Sequence, residues 1–172
     1  SQQRLIIEEL ATHQLSLLKT KKARKSKTTN KFKIKNNLHN NLLISLNFDL
    51  TEAQSRCIRE IHEDLSNTEP MLRLLQGDVG SGKTIVAVFS LIQAVENDFQ
   101  TAVMAPTEIL ARQHLQNFTE YLNPLSIQIA FLSGSQNTQE RREQLELIES
   151  GKAKVIIGTH ALFQESVNFK NL

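Results

Sequence analysis

A glycine-rich segment that ends in lysine and threonine constrains this chain more than any other feature of its sequence. It fits the phosphate-loop pattern G-x-x-x-x-G-K-[ST] at every specified position. The segment consists of Gly77, Asp78, Val79, Gly80, Ser81, Gly82, Lys83 and Thr84. In such a loop, backbone N–H groups close around phosphates, the lysine neutralises the β and γ phosphates, and the threonine hydroxyl binds Mg²⁺.

A glycine-rich turn that only caps a helix is the structural alternative for this segment. That alternative does not explain why Lys83 stands in the first helical turn, where the helix dipole disfavours a cation. The sequence therefore predicts a site for a nucleoside triphosphate with Mg²⁺. A predicted strand before the loop and a predicted helix after it are the context that supports this prediction.

Apolar runs of strand length alternate with helix-length periodic segments from residue 71 onward. We expect strands at residues 71–76, 101–105, 127–132 and 154–158. We expect helices at about residues 83–96, 107–122 and 138–150, the last ended by Gly151 in a left-handed cap. This alternation predicts an α/β fold, with a parallel sheet covered by helices on both faces.

The sequence before residue 71 divides into three parts. Apolar residues at helical spacing predict an amphipathic helix over residues 2–18, and we assign residues 1–18 to a linker helix. Residues 19–47 are basic and Asn-rich, and we interpret them as a linker. Thr51 with Gln54 three residues later is a capping-box pattern, which predicts the start of a helix. We expect the domain to begin just before this helix and to span residues 48–172.

Positive charge is concentrated in the predicted linker. The chain has 172 residues and a net charge of +2, but nine basic residues fall between Lys19 and Lys35. Such a run is most often a solvated segment. The alternative is an arm that neutralises phosphates on DNA, which would make binding steeply dependent on salt.

Several classes of protein are disfavoured by what the sequence lacks. No run approaches the ~18 apolar residues of a membrane span, and the N-terminus lacks the pattern of a secretory signal. We therefore expect a cytoplasmic location and no membrane partner. Cys57 is the only cysteine, and the five histidines have no ligand-like spacing, so neither a disulfide nor a zinc site is indicated.

Small polar residues follow three of the predicted strands. They are Thr107 after the second strand, Ser133 and Gly134 after the third, and Thr159 and His160 after the fourth. The carboxyl ends of parallel strands form the edge where ligands bind in open α/β sheets. Hydroxyls and backbone N–H groups there could hold a nucleic-acid backbone without reading bases. Thr107 is also explained as a simple helix cap.

Three segments resemble successive helicase motifs of the RecG family, superfamily 2 DNA translocases that remodel stalled forks and branched junctions. The segments are residues 71–84, 104–114 and 158–164. Residues 2–10 look like the helix that joins the wedge domain to the motor, and residues 50–54 like the adenine-reading segment. The resemblance implies an incomplete first RecA-like P-loop NTPase domain, preceded by an α-helical basic linker.

The resemblance also implies roles for individual residues. Gln54 would contact the adenine edge of ATP and Phe48 would stack on the base. Lys83 and Thr84 would serve catalysis, Thr84 through Mg²⁺. A DNA track for branched or forked duplex would be lined by Thr107, Ser133, Gly134, Thr159 and His160.

The family pattern contains three parts for which this sequence has no counterpart. They are the wedge domain, the acidic D-E-x-H strand, and the second RecA-like lobe with its arginine fingers. We therefore expect negligible hydrolysis by this chain alone. The alternative function is a non-catalytic remnant that binds nucleotide and DNA. Another kind of P-loop NTPase would leave residues 106–108 and 158–160 unexplained.

Overall fold

Three short parallel strands organise the computed structural model, which describes residues 14–15 and 28–172. They are β1 (Thr101–Met104), β2 (Ile129–Leu132) and β3 (Val155–Gly158). Their order in the sheet is β1-β3-β2, and Met104 and Leu132 are both in register with Gly158. Because the three strands end at the same level, the loops that follow them leave the sheet along one edge.

Within residues 28–172, five helices accompany these strands, and two short 3₁₀ turns follow the fourth helix and β3. The helices are α1 (Asn37–Ser45), α2 (Glu52–Leu65), α3 (Lys83–Glu96), α4 (Glu108–Leu122) and α5 (Thr138–Glu149), and the 3₁₀ turns are Asn123–Leu125 and His160–Phe163. The predictions for α3, α4, α5 and the three strands are confirmed to within two residues. The capping box of Thr51 and Gln54 opens α2, and Gly151 has the predicted left-handed conformation, with φ of 72°.

Alternate residues of the strands pack on opposite faces of the sheet. Val155 and Ile157 belong to the core that includes residues of α1 to α4. Ile156, between them, packs with Ile148 of α5 on the other face. All of these side chains are fully buried. The two-residue period of a strand therefore places helices on both faces, as the sequence predicted.

The expected strand at residues 71–76 is absent, which corrects the sequence analysis. This segment has no regular structure, and Leu72 and Leu74 expose 77% and 85% of their surface. A strand exists only where a neighbouring backbone pairs with it. Within residues 28–172 the sheet has three strands, and none of them pairs with this segment.

Part of the stretch that we interpret as a linker, residues 19–47, packs on the core. Helix α1 lies there, and its Leu42 is fully buried. Asn97, just after α3, bonds to both the N–H and the carbonyl of Lys33. Lys35 Nζ donates to the carbonyl of Glu96 at the end of α3. The predicted helix over residues 2–18 lies outside the described residues, apart from Gln14 and Leu15, which are helical.

Two further findings concern the described part of the chain. None of its helices is long and apolar enough to cross a membrane. Residues 14–15 and 28–172 also contain no group of three or more His, Cys, Asp or Glu side chains that could hold a metal ion. Cys57 is half-buried beside the core as a free thiol.

Candidate functional site

The phosphate loop runs into α3, and Lys83, the first residue of that helix, is turned back onto the loop. Gly80 and Gly82 have φ of 82° and 77°, a left-handed conformation that other residues rarely adopt. Lys83 Nζ donates to the carbonyls of Gly77, at 2.8 Å, and Asp78, at 2.7 Å. These neutral carbonyls are weaker partners for an ammonium than phosphate oxygens are. The loop therefore offers a cation that a bound phosphate could recruit.

The Gln54 amide joins α2 to the phosphate loop. Its Oε1 accepts from the Thr51 N–H at 2.9 Å, and its Nε2 donates to the carbonyl of Ser81 at 3.1 Å. These two partners fix which end of the amide is oxygen. A glutamine amide has two donor hydrogens and two acceptor lone pairs. One donor and one acceptor of Gln54 therefore remain for the adenine edge, so capping and adenine recognition are compatible.

A cavity of about 290 Å³ opens beside the loop. Its lining includes Lys83 and Thr84 from the loop and the start of α3, and Asn117, Glu120 and Tyr121 from α4. The lysine cation and the glycine backbone fit a polyphosphate. The Thr84 hydroxyl fits one position in the coordination of Mg²⁺. No other ligand for the metal was predicted from the sequence.

The second group of predicted residues lies along the carboxyl edge of the sheet. The Ala105 N–H donates to the carbonyl of Gly158 at 2.9 Å, and the Thr159 N–H donates to that of Leu132 at 3.1 Å. These backbone bonds extend the sheet one residue beyond its strands. They bring together the starts of the loops that carry Thr107, Ser133 and Thr159.

The residues at this edge differ in what they expose. Thr107 is exposed and caps α4, its Oγ1 accepting from the Leu110 N–H at 3.3 Å. Ser133 is only 1% exposed, and its hydroxyl lies 3.2 Å from that of Ser135. Gly134 and Ser135 are exposed. The loop after β2 therefore presents Gly134 and Ser135, with Ser133 behind them.

Gly134 has free space around it. A methyl group added there would meet no atom within 4 Å, and its φ lies outside the left-handed range. Nothing within the described structure thus requires a glycine at this position. Close approach of another molecule's backbone is a reason for glycine that remains open.

Glu108 is the residue of this edge that sequence reasoning treated only as the start of α4. Its Oε1 accepts from Ser135 Oγ at 2.5 Å and from Arg112 Nη2 at 2.7 Å. These hydrogen bonds, first that from Ser135 and then that from Arg112, hold the pKa of Glu108 below its usual value. The glutamate–arginine spacing of four residues could have signalled the ion pair. The contact with Ser135 has no signal in the sequence.

Phe48 and His160 take no part in the side-chain contacts described above. Phe48 is 43% exposed. In the described part of the chain, the side-chain amide of Gln54 bonds to Thr51 and Ser81, and no contact links it to Phe48. His160 is exposed at the start of its 3₁₀ turn. It directly follows Thr159, whose N–H donates to the carbonyl of Leu132 at the sheet edge.

Two histidines meet away from both groups, between α1 and α2. The His39 and His62 rings make an edge contact with centroids 5.4 Å apart, and His62 Nε2 lies 3.2 Å from the carbonyl of Phe89. Burial lowers the pKa of both histidines, and the neighbouring His62 lowers that of His39 further. A mainly apolar cavity of about 400 Å³ adjoins them.

Comparison with known proteins gives relatives over the whole chain. Residues 51–172 match the family described as DEAD/DEAH box helicase. ATP-dependent DNA helicase RecG of Escherichia coli (strain K12) is 44% identical over 172 residues, which are 100% of this chain and 25% of that protein. RecG of Aquifex aeolicus (strain VF5) is 44% identical over 98% of this chain and 21% of its own length. The chain thus spans about a quarter of the length of the curated relatives it matches.

Solved structures agree with this result. A structure of RecG bound to a three-way DNA junction matches with a TM-score of 0.89 and 44% identity, over 96% of this chain and 23% of that one. A hypothetical ATP-dependent RNA helicase from Sulfolobus tokodaii matches with a TM-score of 0.56 and 17% identity, over 78% of this chain and 38% of that one, which supports the fold alone. The resemblance to RecG predicted from the motifs is confirmed. Because the family match covers more than half of the residues, this chain belongs to the DEAD/DEAH box helicase family.

Proposed function

We propose that this chain is the nucleotide-binding and DNA-tracking part of an ATP-dependent DNA helicase of the RecG type. Such an enzyme would couple ATP hydrolysis to the remodelling of forked or branched DNA. The observation that carries the proposal is the phosphate loop, with Lys83 folded onto it at the start of α3. The 44% identity to RecG over the full chain supports the choice of DNA as partner.

In this proposal the loop holds ATP. Lys83 moves from the loop carbonyls to the β and γ phosphates, and the Thr84 hydroxyl binds Mg²⁺. The remaining donor and acceptor of Gln54 contact the adenine edge. Phe48, which exposes much of its ring, stacks on the base.

The sheet edge contacts one DNA strand through its phosphates. Thr107 contributes a hydroxyl at the N-terminus of α4, where the helix dipole favours an anion. Gly134 allows close approach of the strand, and Thr159 and His160 add polar groups further along the edge. Ser133 is buried, so it supports the exposed Gly134 and Ser135 and does not contact the strand directly.

The chain would act within a longer protein. An acidic motif that completes the Mg²⁺ site, a second RecA-like lobe and a wedge domain would come from the remaining three quarters of a RecG-like sequence. We also propose a cytoplasmic location. The basic run between Lys19 and Lys35 stays a candidate DNA arm, but Lys35 already bonds to the end of α3 and is a weak candidate for contacting DNA.

Replacing the phosphate-loop lysine tests the proposal. We expect Lys83→Ala in the full-length native protein to lower DNA-stimulated ATP hydrolysis by roughly 100-fold or more, because charge stabilisation at the transferred phosphate is lost. Lys152→Ala is the matched control, since Lys152 is exposed in the loop that enters β3, at the opposite end of the sheet. Phosphate release with and without a forked oligonucleotide gives the measurement.

Three outcomes would contradict the proposal. The first is equal hydrolysis by Lys83→Ala and the parent. The second is hydrolysis that DNA does not stimulate. The third is a native protein with a mass of 19.5 kDa, as calculated for this chain, that binds ATP and DNA without turnover, which would favour the non-catalytic remnant.

A further inference from the structure

Glu108 joins two loops that the sequence separates by 27 residues. It follows Thr107 at the start of α4, and its carboxylate accepts from Ser135 Oγ in the loop after β2. The distance of 2.5 Å makes this a short, charge-assisted hydrogen bond. Ser135 in turn lies 3.2 Å from the Ser133 hydroxyl. The side chain of Glu108 thus links the loop after β1 to the loop after β2.

A carboxylate at an edge that contacts phosphates needs an explanation, because two anions repel each other. Arg112 supplies part of it, since its Nε and Nη2 both donate to the same oxygen of Glu108, at 2.9 and 2.7 Å. The guanidinium of Arg112 also lies 5.2 Å from the centre of the Phe131 ring. The charge of Glu108 is therefore balanced locally by Arg112 on the same helix, while its hydrogen bond with Ser135 reaches the neighbouring loop.

The loop after β2 has other internal supports, but they do not reach the loop after β1. Gln136 accepts from the Ser133 N–H at 2.9 Å and donates to the carbonyl of Phe131 at 3.0 Å. These bonds shape the turn itself. Among the residues of this loop, Ser135 makes the direct hydrogen bond to Glu108 on α4, and the Ser133 hydroxyl adds a smaller contribution to the lowered pKa of the same carboxylate.

We propose that Glu108 is a positioning residue for DNA binding. It holds the exposed pair Gly134 and Ser135 at a fixed place relative to Thr107, so that both loops meet phosphates of the same strand. Pre-forming the two contacts lowers the ordering cost of binding. This inference rests on the proposed function, because it requires the sheet edge to be the DNA track.

The experiment compares four variants of the full-length native protein. Glu108→Ala removes the link, Glu108→Gln keeps an acceptor for Ser135, and Ser135→Ala removes the link from the other side with a change at an exposed residue. Glu146→Ala is the matched control, because Glu146 forms an exposed pair with Arg142 four residues away on α5. The measurements are affinity for a fluorescent forked oligonucleotide, affinity for a fluorescent ATP analogue, and DNA-stimulated ATP hydrolysis.

We expect Glu108→Ala and Ser135→Ala each to weaken DNA binding about tenfold, and to raise by the same factor the DNA concentration that gives half-maximal hydrolysis. The maximal rate and the affinity for the ATP analogue should stay within twofold of the parent. Glu108→Gln should recover most of the loss, and Glu146→Ala should match the parent. The double variant Glu108→Ala/Ser135→Ala should bind DNA no more weakly than either single variant, because both remove one contact.

Other results would overturn the inference. If the parent binds DNA and both single variants bind it equally well, Glu108 has no positioning role, although the proposed function stands. If Glu108→Ala binds DNA more tightly than the parent, the carboxylate acts only by repulsion. If Glu108→Ala fails to fold, Ser135→Ala alone decides the question. If the parent binds no DNA, the proposed function fails, and the inference fails with it.

Discussion

The sheet edge and the phosphate loop are held in place by different kinds of contact. At the edge, backbone bonds continue the ladder past Met104, Leu132 and Gly158, so the position of each loop follows from the register of the sheet. The phosphate loop follows residues 71–76, which have no paired neighbour among the described strands. Side chains from Lys83 and Gln54 hold it instead.

This difference makes the sheet edge a fixed surface and the phosphate loop an adjustable one. Moving the edge requires breaking strand pairing, which is cooperative with the whole core. Moving the loop requires only that two side chains exchange partners. A site that must capture and release a nucleotide in each cycle benefits from the second arrangement, and a track that must keep a strand in register benefits from the first.

A methyl group at Gly158 should disrupt the sheet edge, which is the fixed surface. The added carbon would lie 2.3 Å from the carbonyl oxygen of Leu132 and 3.1 Å from the Leu162 side chain. Because the oxygen belongs to the neighbouring backbone, neither strand can move aside without disrupting the sheet. We expect Gly158→Ala to lower the free energy of unfolding by about 3 kcal/mol.

Gly134→Ala is the control for this prediction, since a methyl group there meets nothing within 4 Å. It should change the free energy of unfolding by less than about 0.5 kcal/mol, as surface substitutions usually do. Urea titration of the protein gives both values. Equal stability of the two variants would mean that the edge is as adjustable as the loop, and the comparison would fail.

Two glycines of the phosphate loop test whether Gln54 holds that loop in place. Gly80 and Gly82 both have left-handed φ, which costs other residues about 1–2 kcal/mol. A methyl group on Gly80 meets no atom within 4 Å, whereas one on Gly82 lies 2.3 Å from Gln54 Nε2. We expect Gly80→Ala to show the backbone cost alone, and Gly82→Ala to lose about 1 kcal/mol more, because Gln54 must give up its bond to Ser81.

Urea titration without nucleotide measures this difference, and a second background isolates its cause. In Gln54→Ala the clash disappears, so the two glycine variants should lose equal stability there. A difference that persists in that background would mean that another contact of Gly82 is responsible. A difference absent from both backgrounds would show that Gln54 does not hold the loop.

The sequence predicted the parts of this structure that depend on local pattern. Helix α3 begins at Lys83 as predicted, because the phosphate-loop motif fixes its start. Residues 71–76 were predicted wrongly, since pairing depends on a neighbour that no local pattern contains. Helix α1 was missed because asparagines weaken its periodicity. A contact that is distant in the sequence also stabilises this helix, since the carboxylate of Glu96 accepts from the Leu38 N–H.

The candidate site divides in the same way. Thr107 and Gln54 were predicted from capping patterns, and the structure confirms both caps. The burial of Ser133 and the bond between Glu108 and Ser135 depend on how the β1 and β2 loops meet, over 27 residues of sequence. Spacing alone does not encode such a contact.

The smallest expected effect concerns pH and compares the helix packing around α1 with the sheet edge. Burial lowers the pKa of His39 and His62, so below the unfolded value of about 6.5 the unfolded chain binds protons that the folded chain does not. Stability should therefore fall as the pH drops from about 7 through 6. The pKa of Glu108 is also lowered, but a carboxylate of this kind loses its contribution only below its unfolded value of about 4.3.

The two regions should consequently respond in separate pH windows. Urea titration at pH 7.5, 6.5 and 5.5 should show a decline for the parent that is reduced in His39→Gln/His62→Gln and unchanged in Glu108→Gln. Within the described residues, His39 Nδ1 is buried with no hydrogen-bond partner, so a proton added there finds no acceptor in the folded state. A decline of the same size in the histidine variant would assign it to other groups, and stability that rises on acidification would contradict the sign of both histidine pKa shifts.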